Sequence, residues 1–150
     1  MKCVILCAGY ATRLYPLTKD KPKPLLPIKG RPMLDYIIEK VFELNKVDEV
    51  IVVTNARFYQ SFVDYANSKE FSKPVKIIND GTITNESRLG GIGNLWLAIE
   101  KEKIDEDLLV ILGDNLFDAS LNQINDLFLK TQLCVVALHD VESEIGRAHV

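Results

Sequence analysis

Short runs of aliphatic and β-branched residues alternate along this chain with segments whose apolar residues recur every three to four positions. The runs are Val4–Leu6, Glu49–Thr54, Val75–Ile78, Leu108–Leu112 and Leu133–Leu138. Between them, Leu34, Ile37, Ile38, Val41 and Phe42 share one side of a helical wheel, with Asp35, Glu39, Lys40 and Glu43 opposite. Phe58, Phe62, Tyr65 and Ala66 repeat the pattern, as do Leu95, Trp96 and Ile99, and finally Leu121, Ile124, Leu127 and Phe128. Trp96 is expected in the core of its helix. Strands joined by connections too long for hairpins pair in parallel through right-handed crossovers, so the pattern predicts a doubly wound α/β domain with a mostly parallel sheet and flanking helices. Ligands in that architecture sit beyond the carboxyl ends of the strands.

The first strand ends where a binding loop would begin. Small Ala8 and Gly9 follow Leu6 directly and let backbone approach a ligand closely. Five of the six prolines (Pro16, Pro22, Pro24, Pro27, Pro32) fall in the next stretch, each fixing its own φ and restricting the residue before it. The loop is therefore long but stiff, and it carries two cations. Arg13 offers a planar fork of donors suited to phosphate oxygens, and Lys23 a compact point charge. The alternative is that both are solvated surface charges among Lys19, Asp20, Lys21 and Lys29.

The stretch Leu6-Cys7-Ala8-Gly9-Tyr10-Ala11-Thr12-Arg13-Leu14-Tyr15-Pro16-Leu17-Thr18, continued by Pro22-Lys23-Pro24-Leu25-Leu26-Pro27-Ile28, resembles the signature of the sugar-phosphate nucleotidylyltransferases. Its length and fixed internal order make it far more specific than a lone glycine motif. Cys7 stands where that family usually has Ala, and Ala11 where it has its second glycine. Alanine tolerates positive φ poorly, so a backbone approach at position 11 has to clear a methyl group.

The resemblance, which covers residues 1–141, implies a truncated, Rossmann-like fold of the nucleotide-diphospho-sugar transferase type. It also implies Mg²⁺-dependent joining of an NTP to a sugar 1-phosphate, or a similar phosphorylated alcohol, giving an NDP-sugar and pyrophosphate. Leu6, Ala8, Gly9, Tyr10, Ala11, Thr12, Arg13 and Lys23 would then contact the nucleotide, with Arg13 on the leaving pyrophosphate and Lys23 near the reacting centre. Gly113-Asp114-Asn115 matches the family's metal-binding element. A carboxylate at that strand end can hold Mg²⁺, a hard cation that favours oxygen ligands, although a strand-end Asp can also simply form a turn. Leu89-Gly90-Gly91-Ile92-Gly93 resembles the family's second glycine-rich element, which places Gly90 beside the nucleoside. Asn79 stands where relatives often carry a base-reading amide, while Asn79-Asp80-Gly81 is equally an ordinary turn signal.

Composition narrows the partners. A chain of 150 residues with 47% apolar and 26% charged residues forms about one domain with a sizeable core. Net charge −3 and a pI near 5.4 argue against nucleic acid or an anionic membrane as the main partner. No stretch approaches the roughly 18 apolar residues of a membrane span, and Met1-Lys2 opens straight into a strand, so a cytoplasmic location is expected. The oligomeric state is open. Cys3, Cys7 and Cys134 have neither a paired nor a zinc spacing and are expected as buried free thiols; His139 has no partner at useful spacing.

Residues 144–150 can be encoded by GAG ATC GGA AGA GCA CAC GTC, the start of a common sequencing-library adapter. A non-native tail over residues 142–150 is accordingly expected, and with it a fragment inactive on its own. Two other readings fit these residues less well. A non-catalytic nucleotide- or sugar-phosphate-sensing module of the same fold would not need Arg13, Lys23 and Asp114 together. A dinucleotide-dependent dehydrogenase would need G-x-G-x-x-G after the first strand and an acidic residue ending the second, where Thr54-Asn55 stands instead.

Overall fold

The computed structural model describes residues 1–138. Its elements are β1 (Lys2–Leu6), two 3₁₀ turns (Thr12–Leu14 and Lys23–Leu25), β2 (Pro27–Ile28), β3 (Arg31–Pro32), α1 (Met33–Phe42), β4 (Glu49–Thr54), α2 (Tyr59–Asn67), β5 (Val75–Asn79), α3 (Gly90–Glu102), β6 (Leu108–Leu112) and α4 (Leu121–Thr131). The chain divides into two units, Met1–Ala119 and a second that begins at Ser120.

In the first unit four strands pair in parallel in the order β5-β4-β1-β6, and β2 and β3 form a separate antiparallel pair. Lys2 is in register with Glu49 on one side and Leu108 on the other, and Leu6 with Val53 and Leu112. From β1 the chain moves outward through β4 to β5, then crosses back to place β6 on the other side of β1. The winding direction therefore reverses between β1 and β6, which is where a doubly wound sheet opens a crevice at its carboxyl edge.

Both faces of the sheet are covered, as the unbroken apolar runs of its central strands require. On one face Val4, Ile51, Val53 and Ile78 close around Ala98 of α3, with Leu6, Leu95 and Leu108 packed at the margin. On the other, Cys3, Ile5, Val50 and Val52 are completely buried. The inner side of α1, Leu34, Ile37, Ile38 and Val41, is buried as its spacing predicts. Asp35 on the same helix is also buried, receiving hydrogen bonds from Tyr65 Oη at 2.6 Å and Lys69 Nζ at 2.7 Å.

Three expectations need correction. Trp96 is 63% exposed, because α3 turns Asn94 and Ala98 inward and Trp96, two residues from each, points away. With Leu89 and Ile92 it forms an exposed apolar stripe at i, i+3 and i+7 spacing. Leu133–Leu138 forms no strand; an apolar run becomes a strand only when a neighbouring backbone completes its ladder, which local pattern cannot report. Cys3 and Cys7 are buried thiols as expected, but Cys134 is exposed.

In the second unit, Ser120 caps α4 by accepting a hydrogen bond from Asn122 N, and Gln132 ends it in the left-handed conformation with its N–H on Phe128 O. His139 and the tail expected over residues 142–150 lie outside the described residues. Among the described residues no helix is long and apolar enough to cross a membrane.

Candidate nucleotide site

The loop after β1 is held by hydrogen bonds from several elements. Cys7 N continues the β1–β4 ladder to Val53 O at 2.7 Å. Asn55, wholly buried just past β4, donates from Nδ2 to Ala8 O at 3.0 Å and accepts from Phe58 N at 3.0 Å, so one amide ties the loop to the start of α2. Tyr10 is buried, its hydroxyl 3.2 Å from Thr82 Oγ1. Thr18 is wholly buried and donates to Ala11 O at 2.7 Å, and Leu14 N reaches the same carbonyl. Arg57 adds a guanidinium hydrogen bond to Lys19 O.

These bonds account for Ala11, which adopts φ 47° and ψ 41°. A left-handed alanine is disfavoured by about 1–2 kcal/mol, and the two hydrogen bonds to its carbonyl hold it there. The chain thus keeps at residue 11 the backbone shape that glycine adopts freely, with a methyl group added at the rim of the crevice.

Gly113 brings β6 to the site. Its N–H donates to Leu6 O at 3.0 Å, and a Cβ at this position would stand 2.2 Å from Cys7 Sγ and 3.2 Å from Leu6 O. Only glycine lets the two strand ends lie this close, and the next residue, Asp114, then projects at the same edge. Burial, followed by the nearby Asp114 carboxylate, pushes the Cys7 thiol well above its ordinary range. Cys7 is therefore a neutral packing residue, not a nucleophile.

A crevice of about 300 Å³ opens here, where β1 and β6 end. Its inner wall is Leu6, Cys7, Ala8, Gly9 and Leu112. Gly90, Gly91 and Asn94 of α3 form another side, with Ala11, Lys23, Arg88 and Asp114 at its rim. Lys23 Nζ lies 3.2 Å from Asp114 Oδ2.

Of the residues expected from the sequence, Leu6, Ala8, Gly9, Ala11, Lys23, Gly90 and Asp114 line this crevice. Tyr10 supports the loop from beneath. Thr12 and Arg13 lie exposed on the first 3₁₀ turn, outside the lining. Asn79 is also outside it; its Oδ1 accepts from Gly81 N at 2.8 Å, the turn-forming arrangement. Among polar and charged side chains the sequence pattern does not mark Asn55, which holds the loop, or Arg88 and Asn94, which line the crevice. No local signal marked Asn94, because the apolar spacing of its helix pointed Trp96 inward instead. No group of three or more metal-ligating side chains occurs among the described residues; Asp114 is the carboxylate that lines the crevice.

Comparison with known proteins identifies the family of the chain. The family model for nucleotidyl transferases matches residues 2–144. The bifunctional protein GlmU of Methanocaldococcus jannaschii is 36% identical over 135 residues, covering 90% of this chain and 29% of that protein. The UTP–glucose-1-phosphate uridylyltransferase AglF of Haloferax volcanii is 31% identical over 124 residues, covering 83% of this chain and 47% of that one. This chain thus spans less than half the length of these two curated relatives. Among solved structures, a UDP-glucose pyrophosphorylase complexed with UDP-glucose is 26% identical, with a TM-score of 0.68, covering 87% of this chain and 54% of that one. With its parallel sheet, its stiff loop after β1 and a family match over nearly its whole length, the chain belongs to the nucleotidyl transferase family.

Proposed function

We propose that the protein to which this chain belongs joins an NTP to a sugar 1-phosphate, or a similar phosphorylated alcohol, to give an NDP-sugar and pyrophosphate. The observation that carries the reading is the meeting of Lys23 and Asp114, 91 residues apart, at the rim of a crevice walled by small residues. In the reaction a phosphate oxygen of the sugar 1-phosphate attacks the α-phosphorus of the NTP. A new P–O bond forms while the bond from the α-phosphorus to the α,β-bridging oxygen breaks, and its electron pair leaves on pyrophosphate. Such displacements depend on positioning and on neutralising charge.

Lys23 supplies fixed positive charge over the reacting phosphates. Arg13, exposed on its short turn, is free to swing its fork of donors onto the pyrophosphate portion. Backbone at Ala8, Gly9 and Gly90 allows the nucleotide to lie close to the strand ends. One carboxylate together with substrate phosphates is a common donor set for Mg²⁺, so Asp114 fits that cation, which would neutralise phosphate charge when bound. Asp114 would hold that cation, and Lys23, 3.2 Å from the carboxylate, supplies its own positive charge to the phosphates.

The test is pyrophosphate release by the full-length protein, with each of the common NTPs against a panel of sugar 1-phosphates and phosphocholine, at graded Mg²⁺. Turnover with one NTP–acceptor pair and none without Mg²⁺ is expected. Residues 1–150 alone are expected to bind nucleotide weakly without turnover. No pyrophosphate from any pair would overturn the proposal.

A further inference from the structure

We infer that Asn94 is the residue by which this chain recognises the nucleoside part of its triphosphate substrate, its side-chain carbonyl accepting a hydrogen bond from a ribose O–H or a base N–H. This deepens the nucleotidyl-transfer reading and rests on it. The argument begins with the inward face of α3. Gly91, Asn94 and Ala98 follow one another at helical spacing; Gly91 lies against Leu6, and Ala98 is completely buried against Val4, Ile51, Val53 and Ile78. Asn94 is the polar member of this otherwise small or apolar row. It is 5% exposed, lines the crevice, and its Oδ1 is buried with no hydrogen-bond partner among the described residues. A buried acceptor left without a donor is unfavourable, whereas an alanine at this position would carry no such penalty. An amide kept here at a cost to stability points to a donor that arrives with the ligand.

The chemistry of an amide carbonyl narrows that donor. Ionised phosphates offer only acceptors, so the triphosphate cannot satisfy Oδ1 and belongs instead with Lys23 and Arg88 at the rim. Ribose hydroxyls and base N–H groups are donors. The surroundings favour the nucleoside as their source: Gly9, Gly90 and Gly91 line the crevice with bare backbone, which lets a flat ring lie close.

The experiment compares wild-type full-length protein with Asn94→Ala and Asn94→Leu, in the absence of sugar phosphate. Calorimetry measures binding of UTP, CTP, GTP, ATP and dTTP, of the 2′-deoxy partner of the preferred nucleotide, and of inorganic tripolyphosphate. Thermal unfolding without ligand runs alongside. The variants are expected to bind the preferred NTP about tenfold more weakly, the equivalent of one lost hydrogen bond, with tripolyphosphate affinity unchanged and unfolding temperature equal or higher. If the donor is the ribose 2′-hydroxyl, the variants lose the discrimination between ribo- and deoxynucleotide; if it is the base, they lose the ranking among bases. Unchanged NTP affinity with a raised KM for the sugar 1-phosphate would assign Asn94 to the acceptor and overturn the inference. A lower unfolding temperature with loss of tripolyphosphate binding would make it structural. Wild-type protein that binds tripolyphosphate but no NTP would overturn the nucleotidyl-transfer reading itself.

Discussion

Lys23 Nζ donates a hydrogen bond to Asp114 Oδ2 at 3.2 Å, joining the proline-rich loop to the residue that follows β6. Lys23 is about a quarter exposed and Asp114 about half. Ion pairs this open to water contribute little to stability, so their meeting bears on chemistry more than on folding. Asp114→Asn keeps the size and much of the hydrogen bonding while removing the charge that recruits Mg²⁺. The full-length variant is expected to unfold at the wild-type temperature, to lose turnover by about a hundredfold or more, and to need more Mg²⁺ for what remains. Activity against Mg²⁺ concentration decides; superimposable curves for the two proteins would remove Asp114 from the site.

Arg13 is tested by its replacement with lysine, which keeps the charge and loses the bidentate fork. Because Arg13 is exposed and lies outside the crevice lining, stability should not move. If the side chain reaches the leaving group, kcat should fall by about tenfold or more. Steady-state kinetics indistinguishable from wild type would make Arg13 a solvated surface charge.

Gly113→Ala tests whether the strand ends meet as closely as the backbone indicates. The new methyl would stand 2.2 Å from Cys7 Sγ and 3.1 Å from Ile5 Cγ2. Overpacking of this kind is expected to cost about 1–3 kcal/mol, read as a lower denaturation midpoint. Adding Cys7→Ala removes the worst contact and should recover part of the loss, so the pair should be non-additive. Gly91→Ala is the control, since its nearest neighbour would be Leu6 Cδ1 at an ordinary 3.9 Å. Equal effects at positions 113 and 91 would contradict the geometry.

Alkaline pH should destabilise the fold. Burial raises the Cys3 and Cys7 thiols from an ordinary 9.0, and burial followed by the Asp35 carboxylate raises the Tyr65 phenol from an ordinary 10.0. As pH climbs past these ordinary values, the unfolded chain loses protons that the native protein still holds, and the equilibrium shifts toward unfolding. The contribution is intact below about pH 9 and declines progressively above it. Denaturant midpoints from about pH 8 to about pH 11 measure the slope; a flat profile would show that these groups titrate alike in both states. Exposed Cys134 should meanwhile react with a thiol reagent far faster than Cys3 and Cys7.

The alternation of runs and helical spacings was enough to specify a parallel, doubly wound sheet, and the order of residues from Leu6 to Ile28 was enough to mark the loop and its two cations. Both are local properties: side-chain period, the fixed φ of proline and the smallness of Ala8 and Gly9 act within a few residues of chain. Contacts between distant segments decided the rest. The crevice lies between β1 and β6 because the winding reverses there, and Gly113 is indispensable because Cys7, 106 positions earlier, occupies the space a side chain would need. Ala11 is held left-handed by a hydroxyl seven residues on, and Asn55 steadies Ala8 from the end of the neighbouring strand. Trp96 and Asn94 lie two residues apart in one helix with opposite fates, one exposed and one buried. Apolarity alone pointed Trp96 inward; the rotation of α3, set by where Ala98 could pack, turned the amide to the crevice and the indole to solvent.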